Sequence, residues 1–142
     1  MASPILTGIV AGLLATIVMT AVMKAVGDGS PPPTALLWSK FVGRGDPADH
    51  RLPGMVLHLL YGTGAGVVFV VGAGFLGLSI ATVTAATVWG LLWGLGLFVV
   101  GALFWLNTVL SVESDSRMLA QFGILHVVYG LTLGVWVGLG IF

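Results

Sequence analysis

His58 and Tyr61 recur as His126 and Tyr129. Each pair opens the pattern H-x-x-Y-G-x-x-x-G, as HLLYGTGAG at 58–66 and HVVYGLTLG at 126–134. An imidazole changes charge near physiological pH, and a neighbouring phenol can extend a hydrogen-bond chain. Both copies lie inside long apolar runs, where a ring nitrogen is costly unless something satisfies it. Steps of three and four residues place His58, Tyr61, Gly62 and Gly66 on one helical face. The same holds for His126, Tyr129, Gly130 and Gly134. The polar groups therefore share the packing face rather than the lipid face. Asn107 and Thr20 are expected in the same polar layer, with Met19, Met23, Met55 and Met118 bordering it.

Four chemistries are open to such a layer. The first is structural: interhelical hydrogen bonds contribute on the order of 1 kcal/mol each. The second is proton, ion or small-solute handling through the paired imidazoles. The third is a b-type haem held by His58 and His126, with Arg51 and Arg117 meeting its propionates. The fourth is a soft metal site, with Met19 and Met23 joining the histidines around Cu(I). No nucleophile elbow, zinc-protease helix, phosphate loop or dinucleotide fingerprint occurs, so no enzyme activity is expected. The glycines at 62–66 lie within a span and serve packing. Glu113 and Asp115 belong to the start of the last span, with Asp115 or Ser116 as its cap. His50 is an ordinary solvated loop residue.

The elements that must position these residues are transmembrane helices. The 142 residues are 58% hydrophobic and 7% charged, with mean hydropathy +1.12. Soluble domains carry about 25% charged residues. A span needs roughly 20 apolar residues. Four are predicted, at about 4–26, 53–73, 82–110 and 119–142, in one all-α membrane domain. The first is not a cleavable signal peptide, because it has no basic leader and too long an apolar stretch. Ser30-Pro31 is the expected start of a short interfacial helix at about 34–42, ending near Gly43. Trp89, Trp93 and Trp136 form one expected aromatic belt, and Trp38 and Trp105 the other. The absence of cysteine excludes disulfides and thiolate chemistry.

All five Lys and Arg lie in or beside the loops at 27–52 and 111–118. The positive-inside rule places both loops in the cytoplasm and both termini outside the cell membrane. Zero formal net charge implies no nucleic-acid partner. The lipid bilayer is the expected partner, and a homo-oligomer or a larger membrane complex the expected assembly, the latter making the chain an accessory or structural subunit.

The second and fourth spans align at an offset of 68 (126 − 58). The first and third align more weakly through Gly8/Gly90 and Gly12/Gly94, at an offset of 82 (90 − 8). The expected architecture is a four-helix bundle of two parallel-repeat hairpins, in halves 1–73 and 82–142. Gly8 and Gly12, Gly62 and Gly66, Gly90 and Gly94, and Gly130 and Gly134 supply one small-xxx-small pair per span.

GIVAGLLATIVMT at 8–20, GDPADHRLPGMVLHLLYGTGAG at 45–66 and HVVYGLTLG at 126–134 resemble an uncharacterised group of small four-pass membrane proteins of haloarchaea and bacteria. The resemblance implies a four-helix membrane fold and carries no activity with it.

Overall fold

The structure, a computed structural model, describes residues 3–27 and 29–141. Asp28 and Phe142, which belong to the predicted first loop and fourth span, lie outside the described residues. The described elements are all helical. Helix α1 is Pro4–Val26, α2 Pro33–Trp38, α3 Arg51–Phe75, α4 Val83–Val100 and α5 Ser116–Leu139. Four helical stretches are long and apolar enough to cross a membrane: Pro4–Val26, Pro47–Phe75, Val83–Val109 and Ser116–Leu139.

The ends follow local chemistry. Ser3 accepts from the Leu6 amide, Thr82 from Ala85 and Asp115 from Met118. Each satisfies one amide that the first helical turn leaves free. Gly140 closes α5 in the left-handed conformation, φ +59°, so the last helix stops before the predicted 142. A 3-10 turn, Pro47–His50, leads into α3, which places the helix start just ahead of the predicted 53. The loop helix starts at Pro33, not at Pro31. Pro32 is held extended, φ −64° and ψ 153°, because the ring of a following proline excludes the helical region.

Helix α4 changes its winding at Gly101. Gly101–Val109 is a π-helical stretch, in which the Leu110 amide bonds to the Trp105 carbonyl, five residues back. The Thr108 hydroxyl bonds to the Leu103 carbonyl across the same interval, 2.9 Å. Nine residues are about two and a half α-turns but only about two of the wider π-turns. The widening therefore sets Gly101 and Leu110 on the same side of the helix.

Helix α1 packs along α3, α4 along α5, and α1 also meets α5. Glycine sets the spacing within each pair. A methyl group on Gly12 would lie 2.9 Å from the Gly62 carbonyl oxygen and 3.0 Å from Gly66 Cα. A methyl group on Gly90 would strike the Gly130 carbonyl and lie 2.9 Å from Gly134 Cα. Where hydrocarbon surrounds helices, such close backbone approach is what holds them together. The pair α3 and α4 comes together less closely than α1 and α5 and touches through the Phe69 and Trp93 rings, 6.2 Å apart.

The loop helix is tucked against the bundle end. Ala35 is fully buried, on the spot where Gly54 carries no side chain. Lys40 Nζ donates to the Val109 carbonyl at 2.6 Å, capping the π-helical end with a positive charge. Phe41 and Val42 remain exposed beside it.

Candidate functional site

A cavity of about 230 Å³ lies in the half of the bundle next to the loops. Helix α1 contributes Thr16, Met19 and Met23, and α3 contributes Leu57, His58, Tyr61, Gly62 and Ala65. The π-helical stretch adds Gly101, Trp105 and Leu106, with Leu110 just beyond it, and α5 adds Phe122, Leu125, His126 and Tyr129. Pro32, Pro33, Thr34 and Leu37 of the loop helix close the floor. Among the described residues no Asp, Glu, Lys or Arg lines it.

All four residues of the two H-x-x-Y elements meet at this one cavity, and the copies are held differently. His126 Nδ1 is 2.8 Å from the Phe122 carbonyl one turn back. The Phe122 ring packs edge-on against the imidazole, 4.3 Å between centroids. A carbonyl oxygen only accepts, so Nδ1 carries the proton in the neutral ring and Nε2 is left with a lone pair. His126 Nε2 makes no hydrogen bond to the described residues. His58 Nε2 is buried with no hydrogen-bond partner. The Tyr129 hydroxyl donates to the Gly62 carbonyl at 2.6 Å and is buried. Tyr61 lines the same cavity but is 41% exposed, so the cavity reaches the surface of the bundle beside it.

Of the other residues expected in the layer, Thr20 is half-buried outside the cavity, its hydroxyl bonded to the Thr16 carbonyl at 2.7 Å. Asn107 is exposed and does not reach the cavity. Its neighbour Leu106 takes the inward position and is 1% exposed. Met19 and Met23 border the cavity, whereas Met55 and Met118 line a second, more open hollow of about 590 Å³ below it, with Lys24, Arg51 and Gln121. The two hollows share Met23, Pro32, Pro33, Phe122 and Leu125. Arg51 is committed to the Gly29 carbonyl, 2.7 Å. Among the described residues no group of three His or carboxylate side chains gathers as a metal site.

Expected belt residues turn inward, with Trp89 and Trp136 partly buried against the core. Trp105, four residues beyond Gly101 and on the same side of the helix, lines the cavity. Trp93 packs on the core with Nε1 buried and unpartnered.

Compared with protein-family models, curated proteins and solved structures, the chain matches none.

Three wall elements carried no advance signal of a cavity. Thr34 sits on a loop helix whose docking no local pattern announces, and its hydroxyl is buried without a partner. Leu106 and Leu110 reach the wall only through π-winding. Thr16 continues the Gly8–Gly12 face of α1 at four-residue spacing, and it fills the place where Gly62 lacks a side chain.

Proposed function

We propose that the chain is a multi-pass membrane protein that binds a small uncharged solute in the His–Tyr cavity. The observation that carries this is the buried His58 Nε2, left without a protein partner on the wall of one otherwise apolar cavity that His126 also lines. Buried polar atoms are normally satisfied, so an orphan of this kind points to an occupant. An engineered apolar cavity of about 150 Å³ takes benzene, so about 230 Å³ suits one substituted ring. Drug-sized ligands use about 300–1,000 Å³, and a haem macrocycle is larger than most of them. An ion would enter with no counter-charge on the walls, at a cost of several kcal/mol.

The surrounding architecture is part of the proposal. The loops at 27–52 and 111–118 face the cytoplasm, which puts the cavity in the cytoplasmic half of the membrane. The bundle is a duplicated hairpin, its glycine pairs acting as small-xxx-small contacts. Inter-helix contacts favour a different register from the one glycine matching suggests. Gly62 and Gly66 meet Thr16, Gly12 and Gly8, while Gly130 and Gly134 meet Gly94, Gly90 and Ala86. Gly12 thus corresponds to Gly90, an offset of 78 (90 − 12), one helical turn from 82. At offsets of 78 and 68 the cavity walls fall into pairs: Met19 with Leu97, Met23 with Gly101, Leu57 with Leu125, His58 with His126 and Tyr61 with Tyr129. A cavity centred between two halves of a duplication would be lined in this way.

The test is fluorine NMR of 4-fluorotoluene with the protein in nanodiscs, corrected for partition into empty nanodiscs. Saturable binding is expected, and Ala65→Phe, which fills the cavity, should abolish it. No saturable binding of any ring compound overturns the reading. Liposomes loaded with a pH dye should show no proton flux dependent on His58 or His126.

A metal reading has one observation of its own, that Met19, Met23, His58 and His126 line the same cavity. Neutral nitrogen and thioether ligands suit Cu(I). Competition with bicinchoninate decides it. Stoichiometric Cu(I) capture that disappears in a Met19→Leu, Met23→Leu protein would put the metal in place of the solute.

A further inference from the structure

Resting on the solute-binding reading, we infer that the ligand is a single-ring molecule bearing a hydroxyl or N–H group, which it donates to His126 Nε2. The Phe122 carbonyl fixes the tautomer of the neutral ring: with Nδ1–H spent on that carbonyl, 2.8 Å away, Nε2 can only accept. The Tyr129 hydroxyl has spent its proton on the Gly62 carbonyl, and its remaining capacity toward the cavity is also that of an acceptor. The Thr16 hydroxyl is likewise committed, to the Gly12 carbonyl at 2.7 Å. The groups at His126 therefore offer lone pairs and no proton, while the unpartnered Thr34 hydroxyl elsewhere on the wall can still donate. An ether, ester or ketone would set oxygen against these lone pairs. A phenol, an aromatic amine or an indole would complete them.

His58 makes the same site two-sided. Its Nε2 is buried and unpartnered, and His58 lines the same cavity from α3. The hydroxyl of a phenol donates once and accepts as well, so one such group can serve both imidazoles, His126 as acceptor and His58 in either tautomer. The remaining wall is apolar and takes the ring. Access beside the partly exposed Tyr61 suits a molecule that partitions into the bilayer.

The experiment compares three ligands of nearly equal size on the unaltered protein in nanodiscs: 4-fluorophenol, 4-fluoroanisole and 4-fluorotoluene. Fluorine NMR gives each affinity after correction for lipid partition. One buried hydrogen bond is worth roughly tenfold, so the phenol should bind about ten times more tightly than either of the others. His126→Phe should bring the phenol down to the toluene value. Equal affinities for phenol and toluene, or an anisole as tight as the phenol, overturn the donor inference while leaving a solute-binding cavity. If none of the three binds saturably, the solute reading itself falls. The comparison on the unaltered protein stands even where His126→Phe fails to fold.

Discussion

Tyr61 and Tyr129 occupy matching places in the two H-x-x-Y elements but meet different surroundings. Tyr129 is buried and bonded to a carbonyl 67 residues away in the chain; Tyr61 is 41% exposed. Tyr129→Phe removes an interhelical hydrogen bond and leaves the Gly62 carbonyl its place in the α3 ladder. Equilibrium unfolding in mixed micelles should record a loss of about 1 kcal/mol. Tyr61→Phe should stay near zero in the same assay, because it breaks no bond inside the bundle. A Tyr61 effect as large as that of Tyr129 would mean that the two copies carry equal structural weight. The spacing of these residues showed that they share a helical face. It could not show that one phenol is spent on the backbone, since that depends on where α3 lies beside α5.

Helices are where most of the sequence was readable. Hydropathy alone locates the four helical stretches long and apolar enough to cross a membrane, because a helix that crosses lipid needs about 20 predominantly apolar residues. Winding is another matter. Residues 101–109 are apolar on nearly every side, so no periodicity distinguishes an α-turn from a π-turn, and the inward place that the sequence offers Asn107 is taken by Leu106. Glycine contacts make a sharp prediction at this scale. A methyl group on Gly130 would collide with the backbone of α4, whereas one on Gly96 or Gly64 meets nothing within 4 Å. Gly130→Ala should therefore destabilise the protein by roughly 1–3 kcal/mol as α4 and α5 are forced apart. Gly96→Ala should be neutral or stabilising, by up to about 1 kcal/mol of helix propensity. The two substitutions are chemically identical, so a difference of opposite sign in unfolding midpoint isolates packing from propensity. Equal effects would show that the α4–α5 approach is not what limits stability.

At the scale of the whole molecule, the cavity belongs to no single element. It forms because the π-helical turn opens α4, the loop helix folds under it, and α3 and α4 approach less closely than α1 and α5. Each condition is set by contacts between segments distant in sequence, which is why the walls are invisible in a linear reading although six of their residues, Met19, Met23, His58, Tyr61, His126 and Tyr129, are not. Orientation is the opposite case, resting on sequence more than on packing. Every Lys and Arg sits at one end of the bundle, and the seven-residue link between α3 and α4 carries no charge. Ala48 and Ser79 are exposed at opposite ends of α3. The chain has no cysteine, so Ala48→Cys and Ser79→Cys can each be read against a silent background. With intact cells and a membrane-impermeant maleimide, Ser79→Cys should label and Ala48→Cys should label only after lysis. The reverse pattern would invert the molecule and move the cavity to the outer leaflet. Labelling of both from one side would mean that α3 does not cross the bilayer, and the four-span reading would fail with it.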